Sequence, residues 1–402
     1  MTLKIIIAGS GFAGLWAGLS AARAVALAGK GEEVDVTIVS PEPKLVIRPR
    51  LYEAVLENMA PDLSALLDAV GVNHVAGVVD GIDAANRQLV VARRDGGWET
   101  LAYDRFVLAT GSALFTPDIP GLGEHGFNVD TLVGAQVLDA HLKSLANRPE
   151  TPGRNTVVVA GGGFTGLETA TELPERLHAI FGKDADIRVV IVDAAREIGA
   201  ELGAETVPVI AEALAECGVE AKAGVRVTAI DGGGVTLSTG EHIAADTVIW
   251  TAGMRAHALG AQVPGEHDPL GRVVGDAFLH APGADGIFVT GDMVKAATDD
   301  LGNFAAMSCQ HALSLGRVAG HNAAAELVGL PLHPYSQPKY VTCVDLGPWG
   351  ALFTEGWDRQ VRLTRAEGKA VKQEINRIWI YPPAADRDAA FAVANPDYVI
   401  VP

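Results

Sequence analysis

The architecture of this chain is set near its start by one stretch, Ile5-Ile6-Ile7-Ala8-Gly9-Ser10-Gly11-Phe12-Ala13-Gly14-Leu15. Its β-branched run is typical of a buried parallel strand, and the residues after Gly11 begin a helix rich in alanine and leucine. Gly9 permits the tight turn, Gly11 lets a pyrophosphate approach the backbone, and Gly14 lets the helix pack closely on the strand. The helix N-terminus offers free N–H groups and a positive dipole end to that pyrophosphate. The stretch therefore predicts a dinucleotide-binding turn.

The same pattern occurs again at Thr156-Val157-Val158-Val159-Ala160-Gly161-Gly162-Gly163-Phe164-Thr165-Gly166-Leu167-Glu168. A single Gly-x-Gly-x-x-Gly is a weak signal. In both copies, however, a second strand, a meander of short strands and an apolar closing strand follow the helix. The closing strand ends at Gly111 in the first copy and at Gly253 in the second. The repeated order indicates an internal duplication of one nucleotide-binding unit.

The residue at the end of the second strand differs between the two units. An acid at this place holds the adenosine ribose in dinucleotide folds. In the first unit Ser40 stands there and Glu42 follows, so either Ser40 makes weaker ribose contacts or Glu42 takes the role, and we favour a shared role. In the second unit the acid is Asp193, which would accept hydrogen bonds from both ribose hydroxyls and repel a 2′-phosphate. This favours NAD(H) over NADP(H), although Arg196 lies nearby.

Length and composition bound the class of protein. A chain of 402 residues predicts two or three domains, and 49% hydrophobic residues with 46 glycines is typical of a large α/β protein with buried parallel sheets. The net charge of −18 argues against nucleic acid and against an anionic membrane surface as electrostatic partners. No apolar run approaches the roughly 20 residues of a membrane span, and the chain starts with a strand, so no signal peptide is expected.

The cysteines are few and scattered. Cys217, Cys309 and Cys343 lie far apart and form no Cys-x-x-Cys pair. We therefore expect neither a disulfide framework nor a metal site, and the cytoplasm is the expected compartment.

Taken in order, these segments resemble the flavoproteins with two dinucleotide-binding domains, the FAD- and NAD(P)-dependent pyridine nucleotide oxidoreductases. The resemblance rests on both glycine turns and on Ala109-Thr110-Gly111, Thr251-Ala252-Gly253 and Thr290-Gly291-Asp292. Two stretches, Gly163–Glu168 and Ile249–Gly253, look most like the type II NADH dehydrogenase (NADH:quinone oxidoreductase) branch. The resemblance covers residues 1 to about 330 well and the tail only loosely.

The resemblance implies an α/β fold with two tandem Rossmann-like domains, each a βαβ unit with an inserted β-meander, and a small C-terminal α+β domain. The FAD-binding domain would comprise residues 1–118 and 276–330. The NAD(H)-binding domain would comprise residues 119–275, and the C-terminal domain residues 331–402.

The resemblance also implies a set of cofactor-binding residues. It places Thr110 and Gly111 near the flavin and Asp292 on a ribitol hydroxyl. The residues expected at FAD are Gly9, Gly11, Phe12, Ala13, Gly14, Ser40, Glu42, Arg48, Val79, Ala109, Thr110, Gly111, Gly291, Asp292, Ser308 and Cys309. Those expected at NAD(H) are Gly161, Gly163, Phe164, Thr165, Gly166, Asp193, Ala252 and Gly253.

The implied reaction is hydride transfer from NADH to flavin N5, followed by electron transfer to a quinone-like acceptor. The first step needs no side-chain nucleophile or base. Glu168, which the resemblance places near the nicotinamide–flavin junction, and Gln310, His311 and Lys295 are candidates for positioning the acceptor or relaying protons. Each has a structural alternative: Glu168 would cap or pair near its helix start, and His311 would be a satisfied core histidine.

Two arginines flank Pro49 just after the second strand of the first unit. We interpret Arg48 or Arg50 either as a cation that neutralises a phosphate or faces the flavin ring, or as a solvated loop charge.

Three departures weaken the quinone assignment more than they weaken NADH and FAD. The branch usually has an acid in place of Ser40, and of its quinone-site glutamines only Gln310 is present, in the segment Cys309–Ser314. The branch also anchors to the membrane through amphipathic C-terminal helices. Here the predicted helix Ala370–Ile380 carries several charges, and we interpret it as a packed surface helix.

Two other functions stay open: a soluble FAD-dependent oxidase or dehydrogenase that tailors a specialised small molecule, and an NADH-sensing flavoprotein of the apoptosis-inducing-factor type. A disulfide-reductase role is not expected, because no cysteine pair lies in the flavin-side segment. The expected partner is a small quinone-like electron acceptor, with no nucleic acid and at most peripheral contact with the inner face of the membrane. A homodimer is left open.

Overall fold

The structure, a computed structural model, describes residues 2–400. Its strands, in chain order, are β1 (Leu3–Ala8), β2 (Val34–Ser40), β3 (Val72–Asp83), β4 (Gln88–Arg93), β5 (Trp98–Ala102), β6 (Arg105–Leu108), β7 (Ser112–Leu114), β8 (Gly126–Phe127), β9 (Thr156–Ala160), β10 (Arg188–Asp193), β11 (Val219–Ala223), β12 (Val227–Asp231), β13 (Gly234–Leu237), β14 (His242–Ala244), β15 (Thr247–Trp250), β16 (Met254–Ala256), β17 (Val273–Val274), β18 (Ile287–Val289), β19 (Val294–Lys295), β20 (Val341–Asp345), β21 (Ala351–Glu355) and β22 (Gln360–Leu363). Its α-helices are α1 (Phe12–Leu27), α2 (Ser64–Val70), α3 (Leu122–His125), α4 (Leu132–Leu145), α5 (Phe164–Phe181), α6 (Thr206–Glu216), α7 (Cys309–Val328), α8 (Arg365–Glu374) and α9 (Arg387–Val393).

The first sheet is built on β1, whose isoleucines Ile5, Ile6 and Ile7 are buried. β1 pairs in parallel with β2 on one side and with β6 on the other, so that Ile5 lies opposite Val36 and Arg105. The full strand order is β18-β6-β1-β2-β3-β4-β5, in which β3, β4 and β5 form an antiparallel meander. The strand order reverses between β1 and β6, and ligands bind in open α/β sheets at the crevice that such a reversal creates.

The second sheet repeats this arrangement around β9. Its five strands are parallel in the order β11-β10-β9-β15-β8, with Val158 of β9 opposite Val190 and Val248. An antiparallel meander of β12, β13 and β14 follows, as in the first unit. The predicted α/β fold with two tandem Rossmann-like units is therefore confirmed. The residue boundaries that we assigned to the domains stay a prediction.

The tail forms a three-stranded antiparallel sheet, β20-β21-β22, on which α8 packs. The helix predicted over Ala370–Ile380 begins earlier, at Arg365, and ends in a π-helical turn, Ile375–Trp379. Its inward face carries Gly368, Lys372 and Asn376, which are spaced one helical turn apart and are buried. Among the helices of the described chain, none combines the length and hydrophobicity needed to span a bilayer.

Helices α1 and α7 lie against each other at backbone distance on the first sheet. A Cβ atom added to Gly316 would overlap the carbonyl oxygen of Ala13, and one added to Gly320 would lie only 2.6 Å from the Cα of Ala17. Because interiors are packed without spare volume, these two glycines are needed for the approach of the helices. The contact fixes the start of α7 beside the turn that precedes α1.

We predict that Gly320→Ala lowers the melting temperature by about 5 °C, because a methyl group has no room against α1 and overpacking costs more than the helix propensity gained. The matched control is Gly123→Ala in α3, where an added Cβ meets no atom within 4 Å. Thermal unfolding followed by circular dichroism measures both variants. Equal melting temperatures for the two variants would contradict the packing argument.

Candidate active site

The first glycine turn leaves the start of α1 open to an anion. Gly9 has a φ of +104°, which a glycine adopts without strain, and a Cβ on Gly14 would overlap the carbonyl oxygen of Gly9. Helix α1 begins directly after Gly11, and no side chain caps it. A Cβ on Gly11 would meet no atom within 4 Å, so the space over the turn is free. The uncapped amides and this free space fit a dinucleotide pyrophosphate.

The second turn has the same backbone geometry. Gly161 has a φ of +123°, a Cβ on Gly166 would overlap the carbonyl oxygen of Gly161, and no side chain caps α5 after Gly163. The residue at the end of β10 is Asp193, as predicted. Its two carboxylate oxygens accept hydrogen bonds from the amides of Gly162 (2.5 Å) and Ala195 (2.7 Å). These bonds fix the orientation of the carboxylate at the edge of the turn.

The structure brings each turn against the end of its own closing strand. In the first unit a Cβ on Gly9 would lie 2.6 Å from the carbonyl oxygen of Ala109 and 3.5 Å from the Cα of Thr110. In the second unit a Cβ on Gly161 would lie 2.7 Å from Oγ1 of Thr251 and 2.9 Å from the amide of Ala252. Both pairs of segments meet at the carboxyl ends of the central strands, where sheets of this type bind ligands.

The two residues considered for the first ribose differ in accessibility. Ser40 is buried, and its hydroxyl donates a hydrogen bond to the carbonyl oxygen of Glu42 (2.7 Å) and lies 3.0 Å from Nε2 of His74. The carboxylate of Glu42 lies near the surface and pairs with Lys44 (2.9 Å) and Arg94 (3.2 Å). The hydrogen bond from Lys44 holds the pKa of Glu42 below its usual value. The shared role of Ser40 and Glu42 stays a prediction.

A polar group around Asp292 borders the first turn. A Cβ on Gly291 would lie 2.6 Å from the Cβ of Ala13, so the turn that carries Asp292 packs directly on α1. Asp292 accepts a hydrogen bond from the hydroxyl of Ser112 (2.5 Å). Burial raises the pKa of Asp292, and the bond from Ser112 opposes that rise. Arg48 donates to the carbonyl oxygen of Ser112 (3.1 Å) and forms an ion pair with Asp130.

Arg50 has a different environment from Arg48. It pairs with Glu53 through two hydrogen bonds of 2.8 and 2.6 Å and donates to the hydroxyl of Tyr381 (2.5 Å). Neither arginine is therefore a solvated loop charge. Arg48 joins the loop after β2 to Ser112 and Asp130, whereas Arg50 joins the same loop to the tail.

The start of α7 places three candidate residues next to one another. Ser308 caps the helix, and its hydroxyl lies 2.9 Å from Nδ1 of His311. His311 is fully buried against the rings of Tyr340 (5.0 Å between centroids) and Trp357 (5.9 Å). Burial lowers the pKa of His311 to about 4, so its imidazole is neutral at pH 7. Burial also raises the pKa of the Cys309 thiol to about 11, which keeps it protonated.

The remaining predicted residues occupy varied positions. Lys295 in β19 lies with its ammonium 4.8 Å from the ring centre of Phe304. Gly111, Phe12, Phe164, Gln310, Thr165 and Gly253 are at least partly exposed, whereas Val79 is buried within β3. No cluster of histidine, cysteine or acidic residues within residues 2–400 has a geometry that would hold a metal ion.

Glu168 forms a buried ion pair that links the second unit to the tail. Its carboxylate accepts hydrogen bonds from Nζ of Lys372 (2.6 Å) and from the amide of Asp345 (3.1 Å). The side chain of Glu168 is only 9% exposed and that of Lys372 only 7%. Desolvation lowers the pKa of Lys372, but the charge and the hydrogen bond of Glu168 oppose that effect and the pKa is raised overall, so the ammonium stays charged. Burial raises the pKa of Glu168, against the effect of Lys372.

The pair is one end of a network that reaches the first unit. Asp345 accepts hydrogen bonds from the hydroxyl of Tyr52 (3.0 Å) and from Nζ of Lys369 (2.5 Å). Asn376 donates to the Tyr52 hydroxyl (3.4 Å). Sequence reasoning missed Lys372, because a charged residue in a short helix is normally solvated. The helical spacing of Gly368, Lys372 and Asn376 was the signal that could have marked the inward face.

Comparison with known proteins gives a consistent result. The family model described as "Pyridine nucleotide-disulphide oxidoreductase" matches residues 3–316. The chain is 46% identical to an NADH dehydrogenase-like protein of Mycobacterium tuberculosis over 94% of each chain. It is 30% identical to a demethylphylloquinone reductase of Synechocystis over 87% of this chain and 86% of the relative. The structure of NDH2 from Plasmodium falciparum in complex with NADH superposes with a TM-score of 0.74 over 100% of both chains at 14% identity, which supports the fold alone.

We predict that Lys372→Met lowers the melting temperature strongly, because removing one partner of a buried pair costs about 3–5 kcal/mol. The double variant Glu168→Gln/Lys372→Met should recover part of that loss, since no carboxylate is then left unpaired. The control is Lys143→Met, which removes an exposed pair with Asp139 and should have little effect. If the single and double variants lost the same number of degrees in melting temperature, the loss would come from packing and not from the unpaired charge.

Proposed function

This chain belongs to the pyridine nucleotide-disulphide oxidoreductase family, and on that premise we propose that it passes electrons from NADH through FAD to a quinone-like acceptor. It is an FAD-dependent enzyme that oxidises NADH; the acceptor is the proposed part. The observation that carries the NADH and FAD part is the pair of equivalent glycine turns, each followed by a helix that no side chain caps. The name of the Synechocystis relative, a demethylphylloquinone reductase, supports a quinone as acceptor.

The residues of each turn have distinct tasks in this proposal. When bound, FAD supplies the ring that accepts the hydride and releases the electrons. The amides at the start of α1 hold one pyrophosphate, and those at the start of α5 hold the other. Asp193 binds the ribose of NADH and disfavours a 2′-phosphate. Asp292, held by Ser112, offers an oxygen to the FAD chain beside α1.

The proposed acceptor site lies between the start of α7 and the Glu168–Lys372 pair. Reduction of a quinone takes up protons, so ionisable groups are needed nearby. His311 is neutral at pH 7 and therefore serves as a positioning group rather than as an acid. Glu168 and Gln310 are proposed to contact the acceptor. The thiols of Cys309 and Cys343 are protonated, because burial raises their pKa to about 11 and about 12, and this disfavours thiol-based chemistry.

The proposal is tested by anaerobic reduction of the FAD-loaded protein and subsequent mixing with acceptors. We predict that NADH bleaches the flavin absorbance faster than NADPH does, and that a water-soluble quinone reoxidises the reduced flavin faster than O₂. Faster reoxidation by O₂ would favour an oxidase. Slow reoxidation by every acceptor would favour a sensor, and absence of bleaching by either nucleotide would remove the enzymatic proposal.

We predict that Asp193→Ala raises the KM for NADH about tenfold or more while FAD is retained, because a charge-assisted hydrogen bond to the ribose is lost. The control is Asp184→Ala, which removes an exposed carboxylate after α5. Steady-state kinetics and the flavin content of the purified variants give the two measurements. Loss of FAD with an unchanged KM would reverse the assignment of the two units.

A further inference from the structure

A second carboxylate, that of Glu201, lies at the start of α5. A Cβ atom added to Gly163 would overlap Oε1 of Glu201 and would lie 3.3 Å from its Cδ and 4.0 Å from its Oε2. Gly163 is the residue after which the uncapped helix begins. The carboxylate therefore stands over the first amides of α5, where a dinucleotide pyrophosphate would have to lie.

The backbone that carries Glu201 is fixed in place. Glu201 lies in a 3₁₀ turn, Ala200–Leu202, between the buried side chains of Ile198 and Leu202. The amide of Gly199 donates a hydrogen bond to the carbonyl oxygen of Gly162, which ties this turn to the glycine turn (3.1 Å). The side chain of Glu201 has no hydrogen bond to any residue in the described part of the chain, so it is free to change rotamer while its backbone stays fixed.

The charges around Glu201 are unfavourable to its carboxylate. Although the residue as a whole is exposed, its carboxyl group faces the turn, and that burial raises its pKa. Asp193 at the end of β10 raises the pKa further, and Arg359 opposes the rise. A pyrophosphate placed in the same space would add a second repulsion of like charges. The carboxylate and the ligand cannot both occupy this position.

Arg359 offers a place for the displaced carboxylate. It lies in the turn between β21 and β22 and packs on the second unit, where a Cβ on Gly203 would lie 2.8 Å from the Arg359 Cβ. Its guanidinium lies over the rings of Tyr340 (4.6 Å) and Phe164 (5.9 Å). Its Nη1 is buried and has no hydrogen-bond partner within residues 2–400. A buried donor without a partner is costly, and an incoming carboxylate would remove that cost.

We propose that Glu201 is a displaceable carboxylate that limits the affinity of the second turn for dinucleotides and that moves from the start of α5 to Arg359 when a pyrophosphate binds. The inference rests on the proposed function, in that the second turn is taken to bind NAD(H). Glu201 thus sets the affinity for any ligand with a pyrophosphate, whereas Asp193 distinguishes NADH from NADPH at the ribose.

The test uses ADP-ribose as the probe, because it carries the pyrophosphate and adenosine ribose of NADH but cannot reduce the flavin. Isothermal titration calorimetry of the FAD-loaded protein gives its dissociation constant. Glu201→Gln should tighten binding about tenfold by removing one like charge. The matched control is Glu197→Gln, an exposed acid in the same loop, which should change the constant little. An equal gain in affinity from the control would overturn the proposal, because the lower net negative charge of the protein would then explain the gain.

Two further titrations separate the roles of the charged groups. Arg359→Met should weaken ADP-ribose binding in the wild-type background and have no effect in the Glu201→Gln background. An equal loss in both backgrounds would overturn the transfer to Arg359. Glu201→Gln should lower the dissociation constants of ADP-ribose and 2′-phospho-ADP-ribose by the same factor. Asp193→Ala should instead narrow the ratio between these two dissociation constants. If Glu201→Gln changed the ratio of the two dissociation constants, Glu201 would act at the ribose and the proposal would be overturned.

Failure of the inference is distinguishable from failure of the proposed function. If wild-type protein loaded with FAD binds no ADP-ribose, the second turn is not a dinucleotide site and the proposed function fails. If the wild type binds ADP-ribose but Glu201→Gln binds it equally or more weakly, only the inference about Glu201 fails. The melting temperatures of all variants check that each is folded, and Arg359→Lys replaces Arg359→Met if the latter is unstable.

Discussion

Both nucleotide units depend on an approach between two backbone segments that leaves no room for a side chain. A Cβ atom on Gly14 would overlap the carbonyl oxygen of Gly9, and one on Gly166 would overlap that of Gly161. Each helix is thereby placed directly on the turn at the end of its central strand, with its first amides uncapped. Because the same constraint acts twice, the two helices present equivalent anion-binding ends, and the remaining polar groups are arranged around them.

The tail is joined to both units by polar groups that have few alternatives to their present partners. Glu168 comes from the second unit, Tyr52 from the first, and Lys372 and Asp345 from the tail, yet they share one buried network. A shift of the tail would leave a buried carboxylate without its cation, which is far more costly than losing a surface pair. The position of Glu168 is therefore set by residues that lie outside both nucleotide units.

The sequence predicts the features whose strand, turn and helix all lie within one short stretch of the chain. A β-branched run followed by glycines and a helical pattern contains its own strand, turn and helix, so the two units and the place of Asp193 followed from local patterns. The pairing of Lys372 did not follow from the sequence, because its partner Glu168 is distant in the chain; the spacing of Gly368, Lys372 and Asn376 marks a shared helix face but not the residue that this face meets. The roles of Glu201 and Arg359 could not be predicted either, because both residues belong to no motif and tertiary packing alone brings each of them to the second unit's glycine turn. The prediction that β2 ends at Ser40 was correct, but the sequence did not show that its hydroxyl bonds to the carbonyl oxygen of Glu42 and lies next to His74.

A chain with a net charge of −18 binds an anionic dinucleotide only where local charges outweigh its overall charge. At the second turn the attraction comes from the uncapped start of α5, and two carboxylates oppose it. Asp193 is fixed by two backbone amides, whereas Glu201 makes no such bonds in the described chain. A fixed carboxylate distinguishes ligands by the charge that they carry at the atom it faces. A movable carboxylate weakens the binding of all these ligands by the same amount. In the roles that we propose for these two acids, specificity and affinity change independently at a single turn.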